Sequence, residues 1–471
     1  MGATHVLGPG SSSYNASLAS YFALQTSDLE PLCFVLPQTP EQVSAIIGWV
    51  TTQTSGKQRE VKVAIRSGGH MCATGASNAH GGVTVDLRAL NSIQVHPDRS
   101  TVSVGAGATW DAVYAKLDPL GISVAGGRIA NVGVGGLTLG GGISFFGPRH
   151  GWTCDTVSSF EVVLANGSIV QANEQTNADL FHGLRGGSNN LGVVTRIDLK
   201  TFRQGDVWFA NIVHPLSTID DQARIVAKMV ATDNYDRDAS FIIGLGYTQA
   251  HGMQVINNQL AYAKPGEDPS YYRDLLQLPA IFKTVSTVSM TTLAQQGAAY
   301  LPPGKARYMF ATATFVASEA MFRAAFDAWD KSLDDKLRAV RGLVWSLSFD
   351  PVPRSMYQPG AAANVLGLGD RHGKTLVVCL ISPVWEDEAD DKRVRAAARK
   401  LVEAIEAAAK KLKVYDPFLY LNYAADWQEP VSSYGKANVG KLQELRARVD
   451  PRGVFTRLVP GGFKIPGQGD C

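Results

Sequence analysis

Apolar residues recur along the chain in two rhythms, and the change falls near residue 204. Up to about 203 they come in short β-branched runs between Gly-rich turns: "VKVAI" (61–65), "GGVTVDLRAL", "TVSVGAGATW", "FEVVLANGSIVQA" and "LGVVTRIDLKTF". Each reads as a strand. Within the fourth, Asn166-Gly167 is a hairpin turn signal. One helix is punctuated at its start, since "TPEQVSAIIGWVTTQ" opens on Thr39-Pro40 and repeats apolar residues at helical spacing. From 204 to 412, strand-like "ASFIIGLGYT", "YMFATATFVA", "LVWSLSFD" and "TLVVCLIS" alternate with amphipathic stretches at 318–334 and 388–412. That pattern predicts an α+β unit, an antiparallel sheet backed by helices. Residues 413–471 return to a strand ("FLYLNYA"), a helix ("YGKANVGKLQELRARV") closed by Asp450-Pro451, and a Pro/Gly-rich tail. The expected division is therefore 1–203, 204–412 and 413–471.

Charge and cysteine content narrow the function classes. The 44 basic and 42 acidic residues leave +2 overall, which gives no electrostatic case for nucleic acid or an anionic membrane surface. No apolar run reaches the roughly 18 residues that span a bilayer, and the opening Met-Gly is a poor acylation match. Cys33, Cys72, Cys154, Cys379 and Cys471 show no paired or metal-ligand spacing, so mostly free thiols, with room for one bridge, and no bound metal are expected.

Two clusters among the 47 glycines change the picture. "IRSGGH" places Gly68 and Gly69 at the end of a predicted strand, so the next residue, His70, sits at a fixed point beside bare backbone. "GVGGLTLGGG" (133–142) has six glycines in ten positions. Such density suits a backbone that must crowd against a phosphate, or two main chains that cross closely. Neither the dinucleotide fingerprint nor the P-loop pattern fits.

In order, "IRSGGH", "GGVTVDL", "VSVGAGATW", "GVGGLTLGGG", "GWTCDTV", "LRGGSNNLGVVT" and the closing "YLNYAADW" resemble the berberine-bridge-enzyme-like branch of the vanillyl-alcohol-oxidase flavoproteins, most closely its fungal members. The resemblance implies a two-subdomain, PCMH-type FAD-binding fold completed by residues 413–471, with residues 204–412 inserted as the substrate domain. It implies FAD held by Arg66, Ser67, Gly68, Gly69 and Gly75, by Gly135, Gly136, Gly140, Gly141 and Gly142, and by Gly192 and Val194. It further implies a covalent bond from His70 to the flavin 8α carbon. Some relatives add a second link through a cysteine just ahead of the triple glycine; "ANVGVGG" carries none, so a single attachment is expected. By the same resemblance Val134 leaves room for O2, which marks an oxidase, and Asn422, Tyr420 and Tyr434 approach the cofactor, with Asn438 nearby.

For the base, the resemblance offers Tyr423 and Asp350. Strand periodicity puts Ser346, Ser348 and Asp350 on one face and Trp345, Leu347 and Phe349 on the other. A carboxylate raises a neighbouring phenol's pKa, so Asp350 would have to take the phenolic proton or act as base itself. If 420–423 were a strand, Tyr420 and Asn422 would face away from Tyr423. The expected activity is FAD-dependent oxidation of a small molecule, a polyketide- or alkaloid-type fungal metabolite, with hydride passing to flavin N5 and O2 giving peroxide. A carbohydrate oxidase and an oxidative or redox-neutral cyclase are the alternatives. The expected partners are the substrate and O2, the expected state is a monomer, and relatives' leaders incline the location toward the secretory pathway.

Overall fold

A computed structural model describes residues 5–52, 60–231, 235–301, 305–358, 360, 362–369, 371 and 373–467. The opening Met-Gly and Cys471 lie outside them; the other four cysteines are free thiols. The predicted runs of the first part become two small sheets. One has the order Val6–Leu7, Cys33–Val35, Val83–Asp86, Val63–Arg66, its last three strands parallel. The other is antiparallel, ordered Ile93–Val95, Thr101–Gly105, Val193–Lys200, Val157–Val163, Ile169–Asn173. The expected hairpin joins the last two neighbours: Gly167 takes φ +84° and the Asn166 side chain accepts from Ser168 N at 2.9 Å. The helix Pro40–Thr52 buries Val43, Ile46, Ile47 and Val50, the residues its spacing selects.

The middle of the chain forms a ten-stranded sheet whose pairs are all antiparallel. Its main path runs Phe282–Val288, Val207–Pro215, Met253–Tyr262, Ala239–Thr248, Val344–Val352, Leu376–Ile381, Ala311–Val316, Tyr415–Asp416. Helices Ile219–Met229, Glu319–Ser332 and Asp391–Lys411 share one core with it, packing Phe322, Phe326, Trp329, Leu401 and Ile405 with Trp345, Leu347 and Phe349. Each such side chain fully buried contributes about 1.5–3 kcal/mol. The opposite face of Val344–Val352 carries Ser346, Ser348 and Asp350, as the period-two reading expects.

The other core is built mainly from residues before 204 and is entered again by Val352–Val378 and Phe418–Ile465. One sequence expectation is corrected here. "FLYLNYA" is not a strand: pairing stops at Asp416, and Leu421–Tyr423 form a 3-10 turn in which Tyr423 N donates to Tyr420 O at 2.9 Å. With no sheet partner the segment satisfies its backbone locally, and the two-faced strand geometry disappears.

Candidate active site

A single cleft is lined by the loop after strand Val63–Arg66, by the start of helix Val134–Leu139, by Val193 and Val194, and by residues 420–423. Leu380 of the large sheet and Phe310, in the link between Arg307–Tyr308 and Ala311–Val316, complete its lining. Among its lining residues Arg128 carries the one formally charged side chain.

The glycine clusters have two jobs. Gly68 and Gly133 cross backbone to backbone: a Cβ on Gly68 would lie 2.5 Å from Gly133 N, and one on Gly133 would lie 2.3 Å from Gly68 N. At Gly136, by contrast, a Cβ would meet nothing within 4 Å and would project into open cleft. The main-chain N–H groups of Gly68, Gly69 and His70 donate to no acceptor among the described residues. Gly69 holds φ +74°, with Tyr21 and Arg66 pressed behind it. Bare backbone with unused donors on a cleft wall is the donor set a diphosphate needs. By that test the residues present fit the FAD expected from the sequence.

His70 faces the same cleft. Its imidazole stacks on Phe22 with ring centroids 3.8 Å apart and planes 16° from parallel, and its ring nitrogens bond to no other described residue. Burial lowers its pKa to about 4, so at neutral pH the ring is uncharged and keeps a lone pair.

Across the cleft stands a cluster of three. Arg128 Nη1 donates to Asp350 Oδ1 at 2.6 Å, and Nη2 donates to the Tyr423 hydroxyl at 2.6 Å. Asp350 is 2% exposed, a buried carboxylate rather than a solvated one. Burial drives the Tyr423 phenol well above its ordinary value; the Arg128 charge opposes this and the Asp350 charge adds to it. Burial also works against the Arg128 cation, but Asp350 and Tyr423 more than offset that, so the guanidinium stays protonated. Beside them the Tyr420 hydroxyl accepts from Ile143 N and from Asn422 Nδ2, both at 3.0 Å, and burial pushes its pKa up to about 12. The 3-10 turn brings Tyr420, Asn422 and Tyr423 to the cleft together.

Not every expected residue is there. Ser67, Gly68, Gly69, Gly135, Gly136, Gly192 and Val194 line the cleft with His70. Arg66 lies behind it, fully buried over the Tyr21 ring, donating to Ser17 O and Ser20 O and paired with Asp86 at 3.7 Å. Gly75 packs its carbonyl against Gly461. Val134 is fully buried in the core, and Val132 and Gly133 form the wall at that point. Gly140 makes room for the Asn422 amide, while the carbonyls of Gly141 and Gly142 receive Cys154 N and Thr153 N. Tyr434 is buried, with its hydroxyl donating to Gly186 O at 3.0 Å, and Asn438 donates to Tyr434 O. No described cysteine lines the cleft. Arg128 escaped the sequence reading: "GGRIANVG" gives no period or motif that marks it, and only the pairing of distant segments brings it to Asp350.

Known proteins resemble this chain in sequence and in fold. A family model described as an FAD binding domain matches residues 31–173. The chain is 37% identical over 463 residues to FAD-dependent monooxygenase tpcD of Cochliobolus heterostrophus, covering 96% of this chain and 88% of that one. It is 39% identical over 472 residues to a protein named Oligopeptidase PhomG′ of Diaporthe leptostromiformis, covering 99% of this chain but spanning only 37% of that protein's length. Among solved structures, 6-hydroxy-D-nicotine oxidase of Arthrobacter nicotinovorans superposes with TM-score 0.80 at 18% identity, over 98% of this chain and 97% of that one. Glucooligosaccharide oxidase of Acremonium strictum, described with 6-S-cysteinyl, 8α-N1-histidyl FAD, superposes with TM-score 0.76 at 19% identity, over 98% and 96%.

Proposed function

Because the chain belongs to the fungal berberine-bridge-enzyme-like branch of the vanillyl-alcohol-oxidase superfamily and is an FAD-linked oxidoreductase, we propose that it oxidises the O–H-bearing carbon of a small, largely apolar metabolite. When bound, FAD supplies the hydride acceptor and passes the electrons to O2, yielding peroxide. His70 would hold the coenzyme covalently, as the only link. Gly68, Gly69 and His70 would take its diphosphate and adjoining parts through their unused main-chain N–H groups, with Ser67, Gly135 and Gly136 lining the same wall.

The observation that carries the reading is the cluster in which Arg128 and Tyr423, on the cleft wall, are backed by Asp350 buried behind them. A phenol held above its ordinary pKa is not a phenolate at neutral pH, so Tyr423 cannot wait as the base by itself. It can pass a proton on: as the substrate hydroxyl gives its proton to Tyr423 Oη, the phenolic proton moves to Asp350. Arg128 remains charged throughout and stabilises the oxyanion as it develops. The surrounding Ile129, Ile143, Phe310 and Leu380 favour an apolar polyketide-type substrate over a sugar. A cationic amine would meet the cleft's one formal positive charge, so the alkaloid reading ranks below an alcohol or enol.

The test mixes the purified protein anaerobically with a panel of aliphatic, allylic and benzylic alcohols. A substrate should bleach the flavin, and readmitted O2 should restore the colour with one peroxide per product. Bleaching by amines or oligosaccharides alone would overturn the substrate class. Incorporation of isotope from labelled O2 into product, without peroxide, would make the reaction a monooxygenation instead.

A further inference from the structure

We propose that Phe22 is a positioning residue for flavin attachment: it fixes the plane of the His70 imidazole. The inference rests on the reading of His70 as the covalent anchor.

A nucleophilic ring must present one nitrogen along one line, and something has to hold it there. In metal and catalytic sites a hydrogen bond to the second nitrogen usually does so. Here the ring bonds only its own main chain among the described residues, and the neighbour that meets it face-on is Phe22, 3.8 Å away and 16° from parallel. Phe22 is in turn clamped from three sides. Its main-chain N–H donates to Gly69 O at 3.3 Å, next to His70 in sequence. Its ring packs 4.2 Å from Tyr308 and 6.3 Å from Phe310. The adjoining Leu24 N donates to Ala306 O at 2.9 Å, and the Tyr21 hydroxyl donates to Ser77 O at 2.8 Å.

This arrangement also explains Arg66. Its guanidinium lies 3.7 Å over the Tyr21 ring and bonds the carbonyls of Ser17 and Ser20, so it locks the segment that carries Phe22 instead of touching the coenzyme. The aromatic row continues to the proposed proton path, since Phe310 lies 6.2 Å from Tyr423. One wall therefore references both the attachment point and the reacting end of the flavin. The segment bearing Phe22 precedes the stretch matched as an FAD binding domain, residues 31–173.

In the attachment step a bond forms from a His70 nitrogen to the 8α carbon, and one C–H of that methyl and the imidazole N–H break, both as protons. The two electrons remain on the isoalloxazine and leave to O2, which becomes hydrogen peroxide. A ring turned away from the line of attack slows this step without altering FAD affinity. Misplacement by about 1 Å costs on the order of 100-fold in such reactions.

The experiment compares wild type with Phe22→Leu, which keeps apolar volume but not the flat face, and with Phe22→Tyr, which keeps both. Protein prepared without flavin is mixed with FAD, and the yellow colour retained after acid precipitation is followed in time. Reversible FAD binding is measured separately by fluorescence quenching. Expected is attachment slowed roughly 10- to 100-fold in Phe22→Leu, FAD affinity within about threefold of wild type, and near-normal attachment in Phe22→Tyr. Attachment at the wild-type rate in Phe22→Leu overturns the proposal, as does a loss of FAD affinity equal to the loss of rate, which would mark a merely structural role. If wild type itself retains no colour, the His70 reading fails and takes this one with it.

Discussion

Replacing Arg128 by Met removes the one charge that faces Asp350 at hydrogen-bond range while keeping the length of the side chain. At 2.6 Å and an effective dielectric of about 20, the Arg128–Asp350 attraction is about 6 kcal/mol before desolvation is subtracted. Breaking a buried pair from one side costs about 3–5 kcal/mol, because the remaining charge is stranded. The Asp350 side chain is 3% exposed and Arg128 10%, so stranding the carboxylate is expected to cost more than stranding the guanidinium, which reaches the cleft. The order of stability should be wild type, Asp350→Asn, then Arg128→Met, with the double variant at least ~2 kcal/mol above Arg128→Met. Urea unfolding of the four proteins at pH 7, followed by tryptophan fluorescence, measures the order. A double variant no better than Arg128→Met would refute the reasoning.

Tyr423→Phe should lower kcat by roughly 100- to 10,000-fold, the usual range for a lost proton-transfer group, while FAD content stays unchanged; stopped-flow bleaching with any substrate that reduces wild type checks it. Gly136→Val should fold normally yet bind FAD at least ~10-fold more weakly, because the new side chain enters the cleft, as a flavin titration would read. Gly68→Ala should instead impair folding, since its Cβ would sit 2.5 Å from Gly133 N; yield of soluble protein and its circular dichroism distinguish the two. Covalent attachment should proceed nearly as fast at pH 5 as at pH 7 and fail toward pH 4, because protonation removes the lone pair only near the lowered His70 pKa of about 4. An ordinary imidazole near ~6.5 would lose most of its rate by pH 5.

Patterning exposed much of this architecture because period and turn chemistry are local. The Asn166-Gly167 hairpin, the helix opened by Thr39-Pro40, and the two-faced strand that hides Trp345 and presents Asp350 were all legible. The reading failed where tertiary partners overrule period. "FLYLNYA" has strand composition but no neighbouring strand beyond Asp416, so it coils into the turn that gathers Tyr420, Asn422 and Tyr423. The glycines were legible as a cluster but not by role: Gly68 and Gly133 serve a crossing of main chains, while Gly136 serves the cleft. Arg66 and Val134 stand next to cleft residues in sequence yet turn inward, because neighbours alternate faces on a strand and step about 100° round a helix. Arg128 and Phe22 could not have been found at all from local pattern. Their meaning lies in what residues hundreds of positions away, or 48 positions on, place against them.

In the proposed function His70 is the one covalent seat of FAD. Proteolysis of the acid-precipitated yellow protein, with mass spectrometry of the coloured peptides, tests it most directly. A single flavin-bearing peptide spanning Arg66 to Cys72, with the added mass on His70, is the predicted result. Colour lost on precipitation, or the flavin mapped to any other residue, would contradict it.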